Sequence, residues 1–296
     1  MTNRQRFDRN LGFLSLAEQA RLQDATIAIA GVGGDGGEVA RLLTRMGAGA
    51  GKGELRLADP DTFEIENINR QTACTDKTIG MNKVEAVGEL LQCINPDATI
   101  KLYTDGVVAE NVDEFVHGAD LVIDESEFTL HQIAVMLGRA SRARGIPVLT
   151  GMNIGFGGVV TTYRPDGPAI EEQLGLRRDM PIEEVAATRV PAARWAPYLP
   201  RYLDFKVMVD ATEGRRTVPS VAPGMSAAAS TTTTEALWNL FEAKNHRPKP
   251  VYFRRALVID PAARVAKTVP FNTASYYWHG ANVWLRNKVA YPATGA

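Results

Sequence analysis

The chain has 296 residues, 45% of them hydrophobic, which is ample apolar side chain for a sizeable core. Its 33 basic and 34 acidic residues leave a net charge of -1, so no chain-wide field draws it to nucleic acid or to an anionic membrane. Cys74 and Cys93 are its only cysteines, which excludes a disulfide framework and a Cys-rich zinc site. The four histidines are scattered, Met1–Arg9 has no apolar export segment, and no apolar run nears the ~20 residues of a membrane helix. The expectation is a reduced, cytoplasmic, soluble protein without zinc.

In chain order, the spacing predicts an amphipathic helix over Leu11–Leu22 and a doubly buried strand over Ala25–Ala30. The glycine run Gly31–Gly37 follows, and helical spacing returns at Glu38–Met46. A strand over Glu54–Ala58, a helix over Lys83–Leu91, a strand over Thr99–Tyr103 and a helix over Ala109–Val116 come next. Then Leu121–Ile123 reads as a strand, His131–Arg144 as a helix and Pro147–Leu149 as a strand. This alternation predicts a Rossmann-like α/β fold, with a mostly parallel sheet covered by helices on both faces.

Beyond residue 150 the texture changes. Gly155–Gly158 predicts a bend into an antiparallel strand at Val159–Tyr163, residues 165–220 form a long excursion with seven prolines, and Met225–Phe241 reads as a closely packed helix. A late hairpin is expected from Val251–Ile259 and Val265–Val269. The expected division is a first half with an N-terminal arm at 1–164 and a second half at 165–296, within one compact domain.

Gly31, Gly33 and Gly36 satisfy Gly-x-Gly-x-x-Gly between a strand and a helix, with Gly34 inside the run and Asp59 at the end of the next strand. Such a turn brings backbone N–H groups and a helix N-terminus to a phosphate. On its own it fits NAD, FAD or ATP equally, and glycines placed only for tight packing remain an alternative.

The following segment favours a triphosphate. Asp59, Asp61, Asn67, Arg70 and Gln71 lie in one loop, and Lys83 follows in Gly80-Met81-Asn82-Lys83. A triphosphate carries a charge of about -4, which fixed cations in a desolvated cleft must offset. Arg70 supplies a fork for two phosphate oxygens and Lys83 a compact charge, while Asn67 and Gln71 either donate to phosphate or hold the loop. Taken singly, each of these residues also suits a solvated surface loop.

Taken in order and spacing, Gly-x-Gly-Gly-x-Gly, Asp-x-Asp, Asn-x-Asn-Arg-Gln and Gly-x-x-Lys resemble the ThiF/MoeB/HesA-type adenylyltransferases of the ubiquitin-activating-enzyme-like superfamily. The resemblance runs from about Arg6 to Gly167. It implies ATP-dependent adenylation of a substrate carboxylate, with Asp59 on the ribose and Arg70 and Lys83 on the phosphates. Arg6-Phe7-Asp8-Arg9-Asn10 resembles the family's N-terminal segment, which implies a homodimer with Arg9 acting in trans. Glu127, in Asp124-Glu125-Ser126-Glu127, takes the place of the family's second strand-end aspartate and so implies a magnesium ligand.

The sequence also departs from that pattern. Asp35 stands where the family has an apolar residue, and a charge there opposes phosphate unless it points away or pairs with a base. The family's Cys-x-x-Cys motifs are missing, and Asp166-Gly167-Pro168-Ala169 occupies the place of the first. No cysteine follows residue 93, so the family's later acyl-accepting thiol has no counterpart. Cys74, beside Arg70, is either a nucleophile or a packing residue, whereas Cys93 is expected in the core.

The expected substrate is a carboxylate on a peptide or carrier protein, or a small carboxylate, with no membrane or nucleic-acid partner. Tyr198, Tyr202, Arg194, Arg201 and Lys206 are candidates for a substrate groove, and the aromatic run at residues 276–279 for a ligand grip, with structural packing the alternative for each. Two rival readings use the same glycines: an NAD(P)-dependent oxidoreductase, which leaves Arg70 and Lys83 idle, and a catalytically silent dimeric scaffold, for which Asp35 and Glu127 mark decay.

Overall fold

The computed structural model describes residues 3–212, 215–241 and 248–274, with isolated positions beyond. A short helix α1 (Asn3–Arg6) and a 3-10 turn at Asp8–Asn10 precede α2 (Leu16–Gln23). The predicted helix starts late because Ser15 caps it, its hydroxyl accepting from the Glu18 N–H while Glu18 reaches back to the Ser15 N–H.

Next come β1 (Ile27–Ala30), α3 (Gly34–Met46), β2 (Leu55–Ala58), α4 (Lys83–Ile94), β3 (Ile100–Tyr103), α5 (Val112–Val116), β4 (Leu121–Asp124) and α6 (His131–Ala143). The chain continues through β5 (Val148–Ile154), β6 (Gly157–Tyr163), α7 (Ile170–Leu174), α8 (Ile182–Ala187), α9 (Phe205–Thr212), α10 (Ala222–Leu240), β7 (Arg255–Asp260) and β8 (Val265–Pro270). Among the described residues no helix is long and apolar enough to cross a membrane.

The strands form one eight-stranded sheet in the order β3-β2-β1-β4-β5-β6-β7-β8. The first five pair in parallel, and β6, β7 and β8 add on antiparallel. β1 and β4 are buried along their whole length, as strands covered on both faces must be. Chain order reverses between them: β1 runs on to β2 on one side, while β4 lies on the other. That switch point leaves a crevice at the strands' carboxyl ends, into which the loops after β1 and β4 open.

Two apolar layers flank the sheet. Ile27, Ile29, Leu43, Leu55, Leu57, Phe63 and Leu91 pack on the side of α3, α4 and α10, and Phe115, Val122, Val135 and Leu137 on the side of α5 and α6. The predicted Ala- and Thr-rich helix is α10, and its small residues matter for its distance from the sheet. A Cβ on Gly158 of β6 would lie 2.6 Å from Ala228 Cα, so backbone meets backbone there.

Candidate active site

α3 begins at Gly34, inside the glycine run rather than at Glu38. Glycine reads as a helix breaker, but here it is what lets the first turn of α3 lie against the end of β1. A Cβ on Gly36 would sit 1.9 Å from the Gly31 carbonyl oxygen, and one on Gly31, whose φ is +81°, would sit 2.4 Å from the Glu125 carbonyl oxygen. Gly33 is different: a Cβ there meets only the Gln71 side chain, at 3.5 Å. Gly31 and Gly36 therefore serve packing, and Gly33 is the glycine that keeps a surface open beside the helix N-terminus.

Asp59 begins the loop off β2 and is buried. Its Oδ2 accepts from the Val32 N–H at 2.9 Å, and its Oδ1 from the Asp61 N–H at 3.0 Å. It thus ties the glycine turn to its own loop before any ligand arrives. Burial raises its carboxyl above the ordinary value, with the Lys83 charge opposing that rise. Lys83, the first residue of α4, extends its ammonium to Asp61 Oδ2 at 2.8 Å.

The loop carrying Arg70 is held from within. The Glu64 N–H donates to Asn67 Oδ1 at 3.1 Å, so the buried Asn67 secures the loop. Thr72 donates to Glu38 of α3 at 2.7 Å. Gln71 is buried against Gly33 with its Oε1 unpartnered. Arg70 is half-buried, donating from Nη1 to Asn69 Oδ1 at 2.9 Å and to the Glu66 carbonyl at 3.2 Å. Its positive charge lowers the proton affinity of Asp35.

Four acids lie in the turn or at and just after the end of β4. Asp35 does not face the open side: its Oδ2 accepts from both the backbone N–H (2.9 Å) and the side-chain amide (2.7 Å) of Asn153 at the end of β5. Burial pushes its carboxyl up to about 6. Asp124 is raised by burial while Ser126 N–H and Oγ–H bond its Oδ1. Glu125 is held well above its ordinary value by burial and then by the Asp35 and Asp124 charges, with the nearby Thr232 hydroxyl opposing that rise. Glu127, three residues past the end of β4, is exposed.

Magnesium usually takes one or two carboxylates plus substrate phosphates. Among the described residues no cluster of three or more His, Cys, Asp or Glu forms a closed metal cage; the open carboxylate of Glu127 fits the former arrangement and not the latter. For a nucleotide, the fit rests on the open face at Gly33 and the Lys83 ammonium, which suit phosphate, while the unpartnered Gln71 amide oxygen can accept only from a hydroxyl or amine.

Arg9 is not brought to this site within its own chain. Its neighbour Asn10 donates to the Met46 carbonyl at 3.0 Å, at the far end of α3 from the glycine turn. A 13-residue helix spans ~20 Å, and Arg9 lies exposed beyond its C-terminal end.

Where groove and packing, or nucleophile and packing, stood open, packing is what the contacts support, and one core expectation is corrected. Tyr198 and Tyr202 both donate to buried Asp260, at 2.8 and 3.2 Å, and Tyr202 Oη accepts from the Phe156 N–H at 2.8 Å. They fasten the long excursion to the late hairpin instead of lining an open groove. Cys74 is buried and its thiol, raised by burial, donates to the Glu64 carbonyl at 3.6 Å, the behaviour of a packing residue. Cys93 is exposed rather than core. Val84, Val87 and Leu91 form the buried stripe of α4, and two residues past Leu91 is ~200° around the helix. Of the run at 276–279, Tyr276 and His279 lie outside the described residues.

Two polar residues of the site carry no mark of it in the sequence: Asn153, which holds Asp35, and Thr232 of α10, whose hydroxyl lies beside the Glu125 carboxyl.

Residues 7–266 match the model of the ThiF family. The SAMP-activating enzyme E1 of Haloferax volcanii is 33% identical over 150 residues, covering 51% of this chain and 53% of that protein. The molybdopterin-synthase adenylyltransferase of Salmonella typhimurium is 33% identical over 152 residues, covering 51% and 59%. The chain thus spans about half the length of these curated relatives. By structure it is similar to E. coli MccB crystallised with ATP, with a TM-score of 0.64 and 18% identity over 92% of this chain and 72% of that one.

Proposed function

The chain belongs to the ThiF family, and from that premise we propose that it activates a carboxylate by ATP-dependent adenylation, releasing pyrophosphate. The observation that carries this reading is the gathering of Gly33, Gln71, Asp59 and Lys83 about one helix N-terminus, with Arg70 on the adjoining loop.

A carboxylate is already anionic at neutral pH, so the chemistry needs no general base. It needs the nucleophile held against the α-phosphate and the growing charge of pyrophosphate neutralised. Lys83 and Arg70 meet the second need from one subunit. Arg9, lying beyond the far end of α3, meets it only from a second copy, which is why the reading includes a homodimer. Magnesium on Glu127 would neutralise further phosphate charge. Asp59 holds the ribose, sharing oxygens that already take the Val32 and Asp61 N–H groups.

The substrate is proposed to be the C-terminus of a peptide or small carrier protein. The SAMP-activating relative supports this, as do crystal structures of MccB with MccA. An NAD(P)-dependent oxidoreductase would leave Lys83 and Arg70 with nothing to bind.

The test is ATP–pyrophosphate exchange with a panel of peptide and carrier C-termini. Arg70→Ala is expected to lower exchange by roughly 10³-fold or more, as loss of an arginine that stabilises phosphoryl charge does, with an unchanged thermal melt. Near-normal exchange in that variant would overturn the assignment.

A further inference from the structure

Arg70 must be aimed as well as charged, and its guanidinium stands at one end of a run of hydrogen bonds crossing four segments of the fold. Arg70 Nη1 donates to Asn69 Oδ1 at 2.9 Å. The other end of that amide, Asn69 Nδ2, donates to the Ser220 carbonyl at 3.1 Å, just before α10. The Ser220 hydroxyl donates to Asn153 Oδ1 at 2.9 Å. Asn153 Nδ2 then donates to Asp35 Oδ2 at 2.7 Å, in the first turn of α3.

We infer that Asp35, Asn153 and Ser220 are positioning residues for Arg70, acting through Asn69. This rests on the reading of Arg70 as a phosphate ligand. Three features support it. Every donor points the same way, from the guanidinium toward the carboxylate, so no two groups compete for one role, and the run passes through Ser220 from its backbone carbonyl to its hydroxyl. Each of the two asparagines spends both ends of a planar amide on the run, so fixing one end fixes the other. The run begins on a cation and ends on a buried anion, which gives the acid in the glycine turn a structural role. It anchors the run on the α3 side, turned away from the open face at Gly33. The run also pins the segment before α10 to the mouth of the site, where a substrate carboxylate must approach.

The experiment measures ATP affinity by calorimetry on the full chain with magnesium, with thermal melts as the fold control. Ser220→Ala should weaken ATP binding about fivefold, the worth of one hydrogen bond, and Ser220→Thr, which keeps the hydroxyl, should bind like the wild type. In an Arg70→Ala background, Ser220→Ala should cost nothing further, because both changes remove the same interaction. Asn153→Ala should behave as Ser220→Ala; should it fail to fold, the serine series still decides. Equal losses with and without Arg70, or no loss in Ser220→Ala while the wild type binds ATP, would overturn the positioning role alone. A wild-type chain that binds no ATP would overturn the adenylation reading, and this inference with it.

Discussion

Lys83 Nζ and Asp61 Oδ2 lie 2.8 Å apart, but the two partners are unequally held: the lysine side chain is 11% exposed and the aspartate 65%. Lys83 is fixed at the start of α4, while Asp61 sits where water competes for it. A phosphate that takes the ammonium has to displace only a solvated carboxylate, and such surface pairs contribute about 0–1 kcal/mol. Asp61→Asn should therefore tighten ATP binding by up to about fivefold. Lys83→Met, similar in shape but uncharged, should weaken it about ten- to a hundredfold, the range for a hydrogen bond to a charged group. Isothermal titration of both variants checks the pair, and weaker binding in Asp61→Asn would mean that the carboxylate itself serves the ligand.

The glycines of the turn should separate by role. In Gly36→Ala the new methyl would lie 1.9 Å from the Gly31 carbonyl oxygen, a backbone atom that cannot move without moving the end of β1. That variant should be recovered unfolded or with a collapsed melting temperature. In Gly33→Ala the nearest atoms belong to the Gln71 side chain at 3.5 Å, an ordinary contact. It should melt like the wild type and yet lose ATP, because the methyl occupies the face offered to phosphate. Intact ATP affinity in folded Gly33→Ala would show that the nucleotide lies elsewhere.

Asp59 should combine both effects. Removing its carboxylate leaves the buried Val32 N–H without its partner, and an unsatisfied buried donor costs about 1–3 kcal/mol. In a chain of this size that lowers the melting temperature by roughly 2–5 °C. Asp59→Ala should therefore lose stability and ATP binding together, whereas Arg70→Ala loses binding alone. Differential scanning calorimetry beside titration distinguishes them; an unchanged melt in Asp59→Ala would remove its part in shaping the turn.

The contrast between these residues explains what is legible in the sequence. Gly31, Gly33, Asp59 and Lys83 can be picked out from spacing because each lies just past the end of a strand or at the start of a helix whose periodicity marks it, and Asp61 follows Asp59 in the same loop. The antiparallel continuation at β6 is readable for the same reason, from Gly155–Gly158. Asn153 and Ser220 escape such reading because their partners are 118 and 67 residues away, joined by the sheet and by α10 rather than by any local pattern. Asp35 is visible as an anomaly, but its orientation is set by Asn153. Tyr198 and Tyr202 are open to groove and packing readings alike until the buried Asp260 is placed beneath them.

Asp35 supplies a pH prediction. In the first turn of α3 the helix N-terminus favours its anion by ~0.3–1 kcal/mol, but burial outweighs this and lifts the carboxyl from 3.8 to about 6. Between those values the folded chain holds a proton that the unfolded chain has released, so this group's contribution to stability falls as pH rises from about 4 to 6 and is level above that. Asp35→Asn can present an amide oxygen to both Asn153 donors without the buried charge. It should melt higher than the wild type at pH 7–8, by an amount on the order of 1–3 kcal/mol, and the gain should shrink to nothing as pH approaches about 4. Paired melting curves across that range decide the matter. A variant that is less stable at pH 7, or whose difference from the wild type does not change with pH, would show that ionised Asp35 is stabilised by its surroundings and is not strained by burial.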